Sequence, residues 1–420
     1  MGTGRRRLSG GTAVVSGVAL VAALLGTGGA AGARTVHGDG GLDTAALEAS
    51  LDAVHDAGMP GIYTQVRDGR DTWNGASGVA DTRSGRPVTP NMRHRVGSVT
   101  KAFTSAALIQ QVRKGRVRLD APVGRYLPKL VKGERGREIT VRMLLNHTSG
   151  IGDYIPGAFP SLMRNSGADL IRYRFRHLAP TRLARLGLAA KPTGAPGEKW
   201  SYANTNYVLA GLILRKVTKT DPRRYITRNV IRRAGLRHTY FPSSPFIAGP
   251  HSRAYENLYG LFDPPKDLSV YNMSWAGTAG ALISTMGDLD KFYRALLNGR
   301  IVDRKGLAQM QRTVTEGPGT TAGYGLGIYT VDLPCGKFWG HDGAVWGMGT
   351  LTLSTPDGRR QVSLGYNLMK YEKLNDDGLP VPGPIDTAMN NYLATAACGD
   401  QPSTRSAGPG APVFPVRHTG

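Results

Sequence analysis

The order of periodicities along this 420-residue chain predicts an α/β sheet lobe joined to a helical lobe. Three observations carry that prediction. Strand-like stretches stand near both ends, helical periodicity runs through the middle, and polar turns such as Pro356-Asp357-Gly358 join the late strands as hairpins. Forty per cent hydrophobic residues suffice for a large core, and the 57 glycines show no period, which argues against collagen and solenoid repeats.

In chain order, Arg5-Arg6-Arg7 precede an apolar run from Thr12 to Leu25 and the small residues Ala31-Gly32-Ala33. A charged start, a short apolar core and an A-x-A site read as a secretory signal peptide over residues 1–33, cleaved after Ala33. The run is too short to span a bilayer comfortably, and no second long apolar run follows. Residues 34–41 read as a flexible lead-in. Asp43 then caps a helix with Leu47, Leu51 and Val54 on one face, stopped at Gly58 and Pro60. Ile62 to Val66 and Trp73 to Val79 flank the polar turn Asp68-Gly69-Arg70-Asp71 as a hairpin. A helix starting at Ser98 ends at Lys114-Gly115 with a basic last turn and a glycine stop.

Helical periodicity marks 168–186, 205–217 and 288–297, with a short helix at 141–145 leading into the turn-rich Asn146-His147-Thr148-Ser149-Gly150. Strand character returns at 323–329, 337–340, 350–353 and 362–364, and 385–397 closes with a helix. The expected organisation is one domain over 42–398, its α/β lobe drawn from about 42–115 and 300–398 and its helical lobe from about 116–299, with a functional cleft between the lobes. Residues 399–420, rich in Pro, Gly and Ser, read as a disordered tail.

A net charge of +23 and a pI near 10.2 first suggest nucleic acid, yet no zinc-finger spacing, aromatic RNP box or basic zipper accompanies the charge. No nucleic-acid partner is therefore expected. A solvated basic face, or an exported enzyme held near an anionic cell-surface polymer, accounts for the arginines. Cys335 and Cys398 are the only cysteines, and in an oxidising compartment a single disulfide is the default. No metal ligand set or cofactor motif is present, so neither is expected, and the chain is expected to act as a monomer.

Chemistry enters with Ser98-Val99-Thr100-Lys101. Residues three apart share a helix face, which sets an amine beside a hydroxyl at a helix start. Roughly one S-x-x-K is expected by chance in a chain this long, so the motif needs company. It has it in Tyr202-Ala203-Asn204, which opens the apolar run 207–211, and in His341-Asp342-Gly343, which leaves a strand. With these three motifs in this order the chain resembles the penicillin-binding-protein and β-lactamase superfamily of serine hydrolases, nearest to secreted D-alanyl-D-alanine carboxypeptidases with H-x-G as third motif. Supporting stretches are 115–123, 144–150, 202–211 and Ser274-Trp275-Ala276-Gly277.

The resemblance implies a β-lactamase/transpeptidase-like α/β fold: an antiparallel sheet flanked by helices plus an all-helical lobe. It also implies roles. Ser98 becomes acylated, Lys101 and Tyr202 shuttle its proton, Asn204 orients substrate and Lys101, and His341 stands beside the leaving group. Backbone N–H groups of Ser98 and Ala344 form the oxyanion hole, with Gly343 and Ala344 on the substrate edge and Trp275 walling the cleft. The substrate would be a peptidoglycan-like D-amino-acid peptide or a β-lactam-like small molecule. Tyr255-Glu256-Asn257 repeats the second pattern without the family-like context, and His147 reads as a structural turn residue.

Three positions depart from the carboxypeptidase pattern. Where that branch holds the substrate's terminal carboxylate with an arginine and a hydroxyl residue, this chain has Tyr329 and Ala344, and the middle of the third motif is Asp342. An acidic Asp342 would repel a carboxylate. An esterase, a D-amino-acid peptidase, a class C-like β-lactamase and a non-catalytic penicillin-binding relative remain as alternatives. No G-x-S-x-G elbow supports an α/β-hydrolase and no H-E-x-x-H supports a zinc peptidase.

Overall fold

The computed structural model describes residues 41–317 and 322–399; the expected signal peptide, most of the lead-in and the tail beyond residue 399 lie outside the described residues. Alternating apolar residues build a nine-stranded sheet from β1 (Gly61–Asp68), β2 (Asp71–Asp81), β3 (Arg86–Pro87), β4 (Val314–Thr315), β5 (Gly323–Tyr324), β6 (Tyr329–Leu333), β7 (Gly336–Val345), β8 (Met348–Ser354) and β9 (Arg360–Tyr366). Their spatial order is β3-β2-β1-β9-β8-β7-β6-β5-β4, and every neighbouring pair is antiparallel. The N-terminal hairpin thus joins the C-terminal meander at the β1–β9 seam, with Ile62 opposite Tyr366.

The period of two sorts the side chains. Ile62, Val66, Leu351, Leu353, Val362 and Leu364 enter one core with helix α1 (Thr44–Asp56) and, from the other end of the chain, residues Met389, Tyr392 and Leu393. Asp43 caps α1 by accepting from Ala46 N–H at 2.9 Å. The opposite core gathers Tyr63, Trp339, Val345 and Met348 with the middle of the chain.

Three helices fix the functional region. Helix α2 (Thr100–Arg113) is buried on every side from Thr100 to Gln111, as a central helix rather than an amphipathic one must be. Two of its buried polar side chains bond to neighbouring backbone: Thr104 donates to Thr278 C=O at 2.8 Å, and Gln110 donates to the carbonyls of Asn229 and Ile301. Helix α3 (Asn204–Thr218) packs along it, and α4 (Met286–Leu297) lies between α2 and the sheet, with Phe292 stacked on Phe103 at 3.6 Å between ring centroids. Helix α5 (Pro384–Cys398) closes the fold, and its last residue is disulfide-bonded to Cys335 at the β6–β7 turn. Among the described residues no helix is long and apolar enough to cross a membrane.

Local structure departs from the sequence expectations in four places. The serine lies in a 3-10 turn, Gly97–Val99, and α-helix begins at Thr100. The expected helix over 168–186 is two helices, Ala168–Arg172 and Pro180–Ala189, because Pro180 can start a helix but cannot continue one. The expected strand over 323–329 is interrupted between β5 and β6, where Gly327 has a φ of +77°. Strand β7 runs on through His341-Asp342-Gly343 instead of releasing the motif into a loop.

Candidate active site

Ser98 sits at the head of α2, only 4 % exposed. The Lys101 amine donates to its Oγ at 2.8 Å and the Tyr202 hydroxyl does so at 2.7 Å. The S-x-x-K spacing works because the turn into α2 and its first residues put the two side chains one above the other. The Lys101 amine also donates to Asn204 Oδ1 at 2.8 Å and to the Ala279 carbonyl at 2.9 Å, so all its hydrogens are directed. Burial pulls the Lys101 ammonium from 10.5 down to about 7, against the opposing charges of Asp153 and Asp342. At neutral pH a large share of its amine is therefore free base.

Asp153 belongs to none of the three motifs and escapes a reading of the sequence. Its carboxylate accepts from Asn204 N–H at 2.5 Å, from Asn204 Nδ2 at 3.0 Å and from Ile155 N–H at 2.9 Å. It fixes the first residue of α3 and the rotamer of the amide that faces Lys101. Burial holds its carboxyl above the usual carboxylate range. The available signal is its position, just past Gly150 in a turn-rich stretch of a basic chain.

Tyr202 is positioned by the loop ahead of α3. The His147 ring stacks on it with centroids 4.3 Å apart, and His147 Nδ1 accepts from Ala203 N–H at 3.2 Å. His147 itself has a φ of +61°, so the turn it occupies is built around this contact. The second Y-x-N lies elsewhere: Tyr255 belongs to the sheet-side core, where its hydroxyl accepts from Thr82 N–H, and Glu256 accepts from Gly347 N–H.

The third motif meets the Ser98 turn through backbone. A Cβ on Gly343 would lie 2.1 Å from Val96 O and 3.0 Å from Ser98 N, and one on Gly97, whose φ is +50°, would lie 2.6 Å from Ala344 N. Only glycines allow β7 to press against the serine turn, and this approach brings the Ser98 and Ala344 amides side by side. The His341 ring is buried, with Nε2 against the Tyr324 hydroxyl at 2.8 Å and Nδ1 against the Asp342 carbonyl at 2.6 Å. Tyr324 also packs edge-on to His147 and Tyr202, so one aromatic cluster links the second and third motifs.

The departures take concrete form here. Asp342 is 3 % exposed, its carboxylate 3.5 Å from His341 Nδ1, so its charge is buried and is felt by Lys101 rather than lining the surface. Tyr329 is buried with its ring 5.5 Å from His341, and Ala344 offers a methyl group only. Trp275 is packed in an aromatic cluster with Trp346 (centroids 5.2 Å apart) and Phe159 (5.8 Å), and its carbonyl accepts from Tyr154. It lies one helical turn before Ala279, whose carbonyl holds Lys101.

Comparison with known proteins agrees with this fold. The family model described as Beta-lactamase matches residues 44–379. A D-stereospecific amidohydrolase from Streptomyces sp. superposes with a TM-score of 0.74 at 36% identity, covering 85% of this chain and 99% of that one. A D-amino acid amidase from Ochrobactrum anthropi SV3, complexed with D-phenylalanine, superposes with a TM-score of 0.71 over 83% of this chain and 97% of its own; at 23% identity it speaks for the fold alone. PbpX of Bacillus subtilis (strain 168), a protein named for penicillin binding, is 27% identical over 327 residues, 76% of this chain and 74% of its own length.

Proposed function

The chain belongs to the beta-lactamase family of serine hydrolases, and on that premise we propose that it is an exported D-stereospecific amidohydrolase working through an acyl-enzyme on Ser98. Attack begins when the free-base amine of Lys101, or the Tyr202 oxygen in relay with it, takes the Ser98 proton as Oγ bonds to the substrate carbonyl carbon. The developing oxyanion falls to the amides of Ser98 and Ala344. The C–N bond then breaks, the leaving amine collects a proton through Tyr202, and water repeats the sequence to release the D-aminoacyl group. Asn204 orients Lys101 and the substrate, His341 flanks the leaving group, and Trp275 walls the acyl side.

One observation carries the choice among hydrolases. The places where a carboxypeptidase clamps a terminal carboxylate hold buried Tyr329, buried Asp342 and Ala344, a set without a cation or an exposed hydroxyl. Such a site favours an uncharged leaving side, as in an amide or an internal peptide bond, over a free carboxylate. The likeness at 36% identity to a D-stereospecific amidohydrolase supports the same reading. A second reading, the D-alanyl-D-alanine carboxypeptidase that the three motifs first suggest, draws support from the likeness to PbpX. The Cys335–Cys398 disulfide fits export to an oxidising compartment.

The test pairs kinetics with mass. Wild type should hydrolyse D-phenylalanine amide with a kcat/KM at least about tenfold above that for the L-enantiomer and for an acyl-D-Ala-D-Ala peptide, a modest specificity ratio for one subsite. A β-lactam should add its mass to wild type and not to Ser98→Ala. D-alanine release as fast as D-amide hydrolysis would transfer the assignment to the carboxypeptidase. Absence of both the adduct and any hydrolysis would overturn the acyl-enzyme reading altogether.

A further inference from the structure

The basic charge of the chain is concentrated in one region. Residues 116–299 hold 29 Lys and Arg against 12 Asp and Glu, so +17 of the total +23. Between Arg215 and Arg237 stand nine bases and the single acid Asp221. This stretch packs at the C-terminal end of α2, the end remote from Ser98, where a cavity of about 350 Å³ opens. Its walls are Ile109, Ile301 and Val302, its floor Gln110 and Asn229, and its rim Arg113, Lys114, Arg233 and Asp303.

The cavity is held in shape from beneath. Gln110 ties the Asn229 and Ile301 carbonyls together, and Arg233 Nε donates to the Arg300 carbonyl at 2.8 Å. Asn229 lies in a π turn, Thr227–Ile231, a widened geometry that is rare and recurs at functional sites. One acid offsets the rim: Asp303 pairs with Arg113 at 3.5 Å, both side chains well exposed. Three cations against one carboxylate, over an aliphatic and amide lining, suit an anionic ligand with a short uncharged backbone. Arg113 and Arg233 can each present a planar fork to phosphate oxygens.

We propose that this cavity and its basic rim bind a phosphodiester-linked polyol polymer of the kind found at cell surfaces, as a docking site separate from the catalytic cleft. No aromatic ring lines the cavity, which speaks against nucleic acid, whose bases would need a stacking surface. The stretch of α2 from Lys101 to Arg113 spans roughly 18 Å, so polymer held here leaves the Ser98 cleft open. Docking of this kind would keep an exported enzyme at the cell surface.

Binding of a fluorescent poly(glycerol phosphate) to the whole protein tests the proposal, followed by anisotropy at two salt concentrations. Arg113→Glu/Arg233→Glu should weaken it at least about tenfold and flatten its salt dependence, since two cations become anions. Lys114→Glu, at an exposed position, should weaken it in the same direction and guards against misfolding of the double variant; thermal unfolding reports the fold of each independently of any activity. Arg182→Glu/Arg185→Glu, an equal charge change on the exposed side of the helix Pro180–Ala189, should leave binding within about twofold. Equal losses at both places would overturn the site in favour of bulk charge, and so would unchanged binding in the cavity variants. Tighter binding of a single-stranded oligonucleotide than of the polyol polymer would overturn the choice of ligand.

Discussion

In the proposed mechanism the chemistry turns on Lys101, because burial lowers the pKa of its ammonium to about 7 while its hydrogens stay directed to Ser98, Asn204 and Ala279. The rate of acylation should therefore rise with pH through about 7 as the ammonium loses its proton. Asp153 acts on that limb from behind Asn204: its negative charge favours the ammonium, so removing it lowers the amine's pKa. Asp153→Asn should move the acid limb of kcat/KM for an ester substrate to lower pH, by about half a unit or more, and reduce its plateau about tenfold as Asn204 loses its anchor. A rate–pH profile from about pH 5 to 9, measured on both proteins, decides the point. A limb that stays in place would show that Asp153 does not act on Lys101, and an unreduced plateau would deny it the positioning of Asn204. The residue scale also shows why sequence alone does not reveal Asp153. Ser98, Lys101 and Tyr202 announce themselves by residue type at fixed spacing, whereas a lone aspartate becomes meaningful only when the fold brings its carboxylate under Asn204.

Among the elements, α4 and the sheet meet through polar side chains. Ser363 on β9 donates to Asp290 Oδ1 at 2.5 Å, Gln361 donates to the Asp290 carbonyl, and Thr352 on β8 lies 2.8 Å from Ser363. Burial pushes the Asp290 carboxyl up from 3.8 to about 7. The folded state then holds a proton between about pH 4 and 7 that the unfolded state has released, so stability falls as pH rises through that window. Asp290→Asn removes the titration. The variant's stability relative to wild type should increase by roughly 1–4 kcal/mol between about pH 5 and pH 8, read from denaturant midpoints. A difference independent of pH would mean that Asp290 titrates normally. This polar seam is not legible in the sequence, because Thr352 and Ser363 fit the alternation of a half-solvated strand equally well. The helices and hairpins themselves are legible where a period runs unbroken and a cap or turn residue bounds it, as at Asp43 or Pro356-Asp357-Gly358. They are misjudged where one residue, Pro180 or Gly327, breaks a run whose period continues on either side.

At the scale of the whole molecule, the two ends of the sheet lobe are held together covalently. Cys398 ends α5, which covers one face of the sheet, and Cys335 sits in the turn from β6 into β7, the strand that carries His341 and Gly343. The sequence reaches this pair from export and arithmetic alone, since two cysteines in an oxidising compartment have one pairing. Their sequence separation is 63 residues. A loop of that size corresponds to about 4 kcal/mol of closure stabilisation in the chain-entropy picture. Position matters as much as magnitude. The ladder from β7 to β8, with His341 opposite Thr352 and Gly343 opposite Thr350, and the glycine contact with the Ser98 turn hold the site without help from the disulfide. Cys398→Ser should therefore lower the denaturant midpoint by an amount equivalent to about 2–4 kcal/mol while kcat/KM near room temperature stays within about twofold of wild type. Loss of activity in step with stability would show instead that the α5 end and the β6–β7 turn transmit strain to the proposed oxyanion hole, and that Ala344 depends on the cross-link for its position.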